Sequence, residues 1–223
     1  MTSPASTRGL MDAAVARLIV GLARLLGGAQ CRWVGCQPNA CQRVYFANHS
    51  SHLDFVVLWS ALPTDVRRLT RPVAARDYWE RSWFRRYLAV HVFRAVLVDR
   101  GRSTPPGDRT ALIEAARRTV EQTAAALGTR HSLILFPEGT RGDGIDVASF
   151  KSGLYYLCRL RPDLELVPTY LENLNRILPR GAILPVPVLG SVTFGPPLRL
   201  EADEERDAFL ARARAALLSL RRS

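Results

Sequence analysis

The sequence has little lysine and little cysteine. Among its 223 residues only Lys151 is lysine, although Lys and Arg together number 31. Cys31, Cys36 and Cys41 are evenly five apart rather than in the C-x2-C spacing of zinc knuckles, and no nearby pair of histidines completes a site. No stretch of the chain resembles a secretory signal peptide. We therefore expect reduced thiols, no metal site and a cytoplasmic location.

A clear membrane-spanning run is also missing. The most helix-like apolar stretch, Leu10 to Leu26, is interrupted by Arg17 and Arg24 and is short for a span. Its leucines fill one half of a helical wheel, the two arginines lie in the other half, and Gly27-Gly28 ends the helix. Two interpretations remain open, namely a helix that packs on its own domain and an interfacial helix that lies on anionic lipid.

The charge of the chain is strongly positive. The formal net charge is +11, which suggests an anionic partner such as a lipid surface, a phosphorylated small molecule, an acidic carrier protein or nucleic acid. Because nearly all the basic residues are arginine, a GC-rich coding bias is the competing explanation. Aliphatic, aromatic and cysteine residues make up 48%, which is ordinary for one globular domain of this length.

Strand patterns alternate with helix patterns along most of the chain. Strands are predicted at Arg32–Val34, Arg43–Ala47, Ala95–Val98, Ser132–Phe136, Leu164–Leu171 and Ser191–Phe194, and an extended segment at Val66–Ala75. Helices are predicted at Phe55–Leu62, from Asp77 to about Val90, and at Thr110–Leu127, Leu154–Leu160 and Glu201–Leu220. This alternation predicts an α/β fold with a mostly parallel central sheet flanked by helices. Pro168 predicts that its strand lies at a sheet edge or carries a bulge.

The stretch 48–54 is the strongest candidate for chemistry. It joins a predicted strand to a predicted helix, and the five-residue spacing of His49 and Asp54 lets the carboxylate reach back to the imidazole. Such a pair suits a general base that acts on a substrate hydroxyl. The competing interpretation makes Asn48 and Ser50 helix caps and His49 a polar corner residue. Polar clusters at 99–102 and 137–141 also follow strands, so all three are predicted to line one rim.

The ordered motifs together resemble the glycerolipid acyltransferases, the family of 1-acylglycerol-3-phosphate (lysophosphatidic acid) acyltransferases. The resemblance spans residues 43 to about 198. It rests on Asn48-His49 with Asp54, on Val96-Leu97-Val98-Asp99-Arg100, on Phe136-Pro137-Glu138-Gly139-Thr140-Arg141, on Phe150-Lys151-Ser152-Gly153 and on Val167-Pro168. His52 also lies inside the first motif, but His49 is the histidine that matches it.

The resemblance implies a glycerol-3-phosphate acyltransferase-like fold and a role for each matching residue. The N-terminal arm and its amphipathic helix would occupy 1–30, and the acyltransferase domain 31–223. His49 would take the proton of the acceptor hydroxyl, and Asp54 would orient His49. The implied substrate-binding residues are Arg100, Glu138, Gly139, Thr140, Arg141 and Lys151. Among these the two arginines are candidates for the acceptor phosphate, because guanidinium binds phosphate bidentately.

The implied reaction needs no metal or prosthetic group and uses acyl-CoA or acyl-carrier protein as co-substrate. The acceptor would be 1-acylglycerol-3-phosphate or another lyso-lipid such as a lyso-ornithine lipid, met at the cytoplasmic face of the cell membrane; nucleic acid is not expected. One rival is a serine-type thioesterase or lipase using Ser50 or Ser51, although the sequence has no G-x-S-x-G elbow. A second rival is a non-enzymatic basic module that binds lipid or nucleic acid, suggested by the aromatic and arginine residues of 78–87.

Overall fold

The computed structural model describes residues 4–27, 30–39, 41–51, 53–99, 108–173 and 190–221. Its strands are β1 (Gln30–Trp33), β2 (Arg43–Ala47), β3 (Thr70–Ala75), β4 (Val96–Val98), β5 (Ser132–Leu135), β6 (Glu165–Glu172) and β7 (Ser191–Phe194). Its helices are α1 (Pro4–Gly27), α2 (Asp54–Ala61), α3 (Thr64–Leu69), α4 (Arg76–Trp79), α5 (Trp83–Tyr87), a π-helical turn (Leu88–Val92), α6 (Arg109–Leu127), α7 (Gly153–Leu160) and α8 (Arg206–Leu218). Within these ranges no helix is both long and apolar enough to cross a membrane.

The strands form one sheet in the order β1-β7-β6-β2-β5-β3-β4. The five strands from β6 to β4 are parallel to one another, whereas β7 is antiparallel to β6 and β1 runs with β7. All five residues of β2 are buried, as expected for a parallel strand covered on both faces. The predicted mostly parallel sheet is confirmed.

Helices cover both faces of the sheet. Alternate residues of β2 point to opposite sides, so Tyr45 enters a core shared with α2 and the π-helical turn, while Val44 and Phe46 enter a core shared with α6, α7 and α8. On the first side, α1 contributes Val20 to the core and packs against α2. Its opposite face keeps large apolar side chains exposed. These are Leu10, Met11, Leu18 and Leu22, which retain 45 to 68% of their accessible area.

Two predicted segments differ in the structure. Residues 66–75 are not extended throughout, because α3 occupies 64–69 and β3 begins only at Thr70. Pro63 takes the N-terminal cap position of α3, so it precedes a new helix as well as ending the previous one. The helix predicted from Asp77 to Val90 is instead α4, α5 and the π-helical turn. Ser82 divides it, because its side chain accepts a hydrogen bond from the Arg85 N–H and so caps a second helix.

Pro168 predicted either a sheet edge or a bulge, and the sheet edge is wrong. Strand β6 lies between β7 and β2, and Pro168 pairs with Phe46 of β2. The Pro168 carbonyl accepts a hydrogen bond from the Gly195 N–H at 2.8 Å, and farther back along β6 Leu166 forms an antiparallel bridge with Leu198, each N–H donating to the other's carbonyl at 2.9 Å. The segment 194–198 is one residue longer than 166–169 opposite it, so Pro168 lies beside a bulge-like irregularity of the pairing, where a missing N–H is tolerated.

Candidate active site

The turn that follows β2, which we call the corner (residues 48–51, 53 and 54), is attached to β6 by a side chain. The buried Asn48 amide donates to the Leu171 carbonyl at 2.9 Å and accepts from the Leu171 N–H at 2.8 Å. The last backbone pair of these strands is Ala47 with Thr169, so the two amide bonds continue the contact beyond the end of β2. The main chain can then turn away from the sheet without losing its attachment to β6.

His49 and Asp54 form the predicted pair. His49 Nδ1 lies 2.8 Å from Asp54 Oδ2, and the Asp54 side chain is completely buried while that of His49 is 17% exposed. The same carboxylate oxygen accepts the backbone N–H groups of Ser50 at 2.6 Å and Ser51 at 2.8 Å. With Nδ1–H donating to the carboxylate, the lone pair lies on Nε2, which is the arrangement that a general base requires.

Glu138 fixes the backbone of His49. One carboxylate oxygen of Glu138 accepts the His49 N–H at 2.7 Å, and the other accepts the Ala148 N–H at 2.9 Å. The His49 carbonyl in turn accepts the Gly142 N–H at 2.8 Å. Glu138 is only 2% exposed. This buried carboxylate therefore links the backbone of the corner to the backbone of the loop after β5. A direct contact between Glu138 and a substrate remains a prediction.

The His49 imidazole stacks on the Phe136 ring beside a small cleft. The rings of His49 and Phe136 are stacked with centroids 4.3 Å apart and planes 22° apart. The cleft beside them is lined by the corner, by Glu138, by residues 144–147 and by Tyr170. Burial raises the pKa of Tyr170, so its hydroxyl remains neutral at physiological pH.

The other predicted binding residues that the structure describes lie on the exposed side of the loop after β5. Gly139, Thr140, Arg141 and Lys151 are all exposed. Gly139 has a φ of 73°, and a side chain there would meet the Lys151 stem, whose Cγ lies 3.3 Å from the position of a Cβ. The Lys151 N–H donates to the Pro137 carbonyl at 2.8 Å. The loop therefore brings these residues together next to His49.

Of the third predicted polar cluster, 99–102, the structure describes only Asp99, which lies farther along the rim. The corner and the Glu138 loop meet because β2 and β5 are adjacent, whereas β4 is two strands beyond β5. At the end of β4, Asp99 Oδ1 lies 3.3 Å from Arg76 Nε. Arg100 and the extra motif histidine, His52, lie outside the described residues.

The serines beside His49 make hydrogen bonds that stabilise the turn. The N–H groups of both bond to Asp54, and the buried Ser51 hydroxyl accepts the Leu53 N–H at 3.3 Å. This bonding disfavours Ser51 as the nucleophile of a hydrolase. Sequence reasoning did not identify the bond from Asn48 to Leu171, the His49–Phe136 stack or the backbone role of Glu138. Asn48, Phe136 and Glu138 do lie in the motifs, but no local pattern indicates what they contact.

The cysteines and acidic residues form no metal site that the structure describes. Within the described ranges no group of three His, Cys, Asp or Glu side chains is arranged to hold a metal ion. Cys31 and Cys41 are exposed free thiols, and Cys36 is partly exposed. Cys158 is buried, and that burial raises the pKa of its thiol to about 12.

Comparison with known proteins gives consistent matches. A family model described as Acyltransferase matches residues 37–172. Two curated relatives, the 1-acyl-sn-glycerol-3-phosphate acyltransferases of Limnanthes alba and Limnanthes douglasii, are 30% identical over 186 residues and 28% identical over 185 residues. Each match covers 82% of this chain, which spans about 60% of the length of either relative. The crystal structure of the 1-acyl-sn-glycerophosphate (LPA) acyltransferase PlsC from Thermotoga maritima aligns with a TM-score of 0.64, covering 100% of this chain and 86% of that chain. At 17% identity this last match shows the fold.

Proposed function

The chain belongs to the glycerolipid acyltransferase family, and on that premise we propose that it moves a fatty acyl chain from a thioester to the free hydroxyl of a lysophospholipid. The proposed acceptor is 1-acylglycerol-3-phosphate, which becomes phosphatidic acid, and the donor is acyl-CoA or acyl-carrier protein. The observation that carries this proposal is the His49–Asp54 pair at 2.8 Å, with its carboxylate buried and its imidazole partly exposed at a cleft.

The proposed reaction is direct transfer without an acyl-enzyme. His49 Nε2 takes the proton of the acceptor hydroxyl as that oxygen attacks the thioester carbonyl carbon. The tetrahedral intermediate then expels the thiolate, so a C–O bond replaces the C–S bond. The imidazolium returns its proton to the leaving sulfur. Asp54 stabilises the charged imidazole through both steps, and Glu138 and Phe136 limit its movement.

The exposed loop beside His49 supplies the proposed acceptor-binding residues. Arg141 and Lys151 are cationic and solvent-accessible, and Gly139 and Thr140 lie in the same loop. We assign the phosphate of the acceptor to Arg141, with Lys151 adding a point charge, because guanidinium provides two parallel donors to an anion. Arg100 is proposed as a second phosphate ligand on the basis of its motif. The reaction as proposed uses no metal or prosthetic group.

The proposed location is the cytoplasmic face of the membrane, with the protein held peripherally. Helix α1 supports it, because the packed face of the helix leaves Leu10, Met11, Leu18 and Leu22 exposed on the other side. Arg17 and Arg24 border this apolar stripe and are exposed. An apolar stripe bordered by cations suits an interfacial helix on anionic lipid.

The test is an assay of thiol release. Purified protein is incubated with acyl-CoA and 1-acylglycerol-3-phosphate, and free thiol and phosphatidic acid are measured together. We expect both products in equal amounts, and at least ~100-fold less of each from the His49→Ala variant. A lyso-ornithine lipid and acyl-carrier-protein donors are run in parallel. If no acceptor and donor pair releases thiol faster than His49→Ala does, the proposal fails and a non-enzymatic lipid-binding module becomes the better hypothesis.

A further inference from the structure

Two adjacent aromatic side chains on α5 are exposed. Trp83 retains 79% of its accessible area and Phe84 retains 53%, and their ring centroids lie 5.9 Å apart in an edge-on contact. Large apolar side chains exposed side by side are unfavourable in water and mark interaction sites in soluble proteins. We refer to Trp83 and Phe84 as the aromatic pair.

The aromatic pair lies at the same edge of the sheet as His49. Helix α4 follows the carboxyl end of β3 directly, and β3 is parallel to β5 and β2. The link to the site is also direct, because Phe55, which follows Asp54, meets Trp79 of α4 edge-on at 5.4 Å. The segment that carries the aromatic pair is therefore packed on the start of the helix that carries Asp54.

The surroundings of the aromatic pair are basic and continue into α1. Arg81 and Arg86 are exposed on either side of it. The Tyr87 hydroxyl at the end of α5 donates to Asp12 of α1 at 2.6 Å, which holds the two helices together. Helices α1 and α5 are thus in contact, and each exposes large apolar side chains together with arginines.

We propose that Trp83 and Phe84 enter the interface of an anionic phospholipid bilayer and hold the rim of the active site against it. Tryptophan and phenylalanine favour the boundary between headgroups and acyl chains, and each nearby arginine adds attraction to an anionic surface. The inference rests on the proposed function, because a lipid acceptor must reach His49 from a membrane. It adds a second docking element to α1, next to the chemistry.

The first experiment measures binding to vesicles of phosphatidylcholine with phosphatidylglycerol by co-sedimentation. The full chain is compared with the double variant Trp83→Ser, Phe84→Ser. We expect the apparent Kd of the double variant to rise by about 10-fold or more, which corresponds to losing the burial of one or two large side chains. The control is Leu112→Ser with Ile113→Ser on α6, where the exposed fractions are 47% and 63%. Because α6 packs on the opposite face of the sheet, this control should change Kd by less than about twofold.

A second readout follows the position of the indole. Addition of vesicles should shift the tryptophan emission of the wild type to the blue, and the single variant Trp83→Phe should lose most of that shift while it still binds. Unchanged vesicle binding by the double variant, or an undiminished shift in Trp83→Phe, would overturn the inference. The same applies if phosphatidylcholine vesicles without anionic lipid bind equally well, since the arginines would then have no part.

Two controls separate this inference from the proposed function. His49→Ala should bind vesicles as the wild type does, because docking needs no chemistry. The double variant should acylate a short-chain acceptor, dissolved as monomers, within about twofold of wild type, and a vesicle-borne acceptor about 10-fold more slowly. An equal loss with both acceptors would mean that the aromatic pair supports the site itself, which would contradict the docking role. Failure of the proposed function would instead appear as no thiol release by the wild type.

Discussion

After β2 the chain turns through residues 48–54, and after β3 it turns through α4 and α5. Both turns lie at the carboxyl edge of the parallel strands, on either side of β5. The first is polar and largely internal, since the carboxylate of Asp54 accepts three hydrogen bonds at 2.6 to 2.8 Å. The second exposes Trp83 and Phe84 to solvent.

The difference between a polar internal turn and an exposed aromatic turn matches two requirements of an enzyme that acts on a membrane lipid. A general base must be held in one orientation, and buried charge-assisted hydrogen bonds do that because breaking any of them leaves an unpaired group. A docking surface must instead remain exposed until lipid covers it. Changes in the 48–54 corner should therefore affect every acceptor equally, whereas changes on α5 should depend on whether the acceptor is in a bilayer.

The largest effect is expected for Asp54→Asn. The remaining oxygen of the amide can still accept the N–H groups of Ser50 and Ser51, so the variant should fold, but the negative charge that stabilises the imidazolium is gone. We expect kcat to fall by about 1,000-fold with both soluble and vesicle-borne acceptors. Circular dichroism checks that the variant folds, and steady-state kinetics measures the fall in kcat. The matched change Asp65→Asn, at an exposed carboxylate on α3, should leave kcat unchanged, and near wild-type turnover of Asp54→Asn would contradict the charge-pair role.

The next largest effect is expected for Glu138→Gln. An amide cannot accept both the His49 and Ala148 N–H groups, so one buried donor is left unpaired and His49 shifts. We expect kcat to fall by roughly 10- to 100-fold and the free energy of unfolding by about 1–3 kcal/mol.

The distribution of the Glu138 effect between kcat and KM tests how the residue acts. Positioning through His49 lowers kcat and leaves the KM of the acceptor unchanged, whereas a direct substrate contact raises KM. The control is Glu165→Gln, which breaks the ion pair with Arg43 at the other end of the sheet, where the N–O distance is 3.0 Å. It should lower stability without changing kcat.

A smaller effect that depends on the acceptor is expected for Arg141→Ala. The exposed guanidinium is assigned to the acceptor phosphate, so its loss should raise KM for 1-acylglycerol-3-phosphate by about 10-fold and leave kcat within about twofold. Kinetics with a phosphate-free lyso-lipid, and with Arg159→Ala on α7 as a control, complete the comparison. An equal loss with the uncharged acceptor would contradict phosphate recognition.

The smallest effect is expected for Ser50→Ala. The contact of Ser50 with Asp54 uses its backbone N–H, which alanine keeps, so kcat and KM should stay within about twofold of wild type. Mass spectrometry after mixing with acyl-CoA should find no acylated protein. Loss of transfer together with a trapped acyl-enzyme in the wild type would replace direct attack by a serine mechanism.

Most of the sheet and the His49–Asp54 pair could be predicted, because both depend on local sequence. A short apolar run bounded by turn residues is consistent with a buried strand, and across a turn that opens a helix a carboxylate can reach back to a histidine five residues earlier. The errors arose where neighbouring signals competed. Ser82 started a second helix inside one predicted helix, and Pro168 lies in an inner strand beside a bulge-like irregularity rather than at a sheet edge.

The mostly parallel α/β architecture, the family and the contact between His49 and Asp54 could therefore be predicted from the sequence. The three-dimensional fold sets what holds that pair in place, since Glu138 lies 89 residues from His49 and Leu171 lies 123 residues from Asn48. It also decided which apolar side chains stay outside. The wheel of α1 and the aromatics of α5 predict amphipathic helices, but exposure depends on which face the rest of the fold covers. Strand order and helix docking set those long-range contacts, and hydrophobic periodicity along the chain carries no information about them.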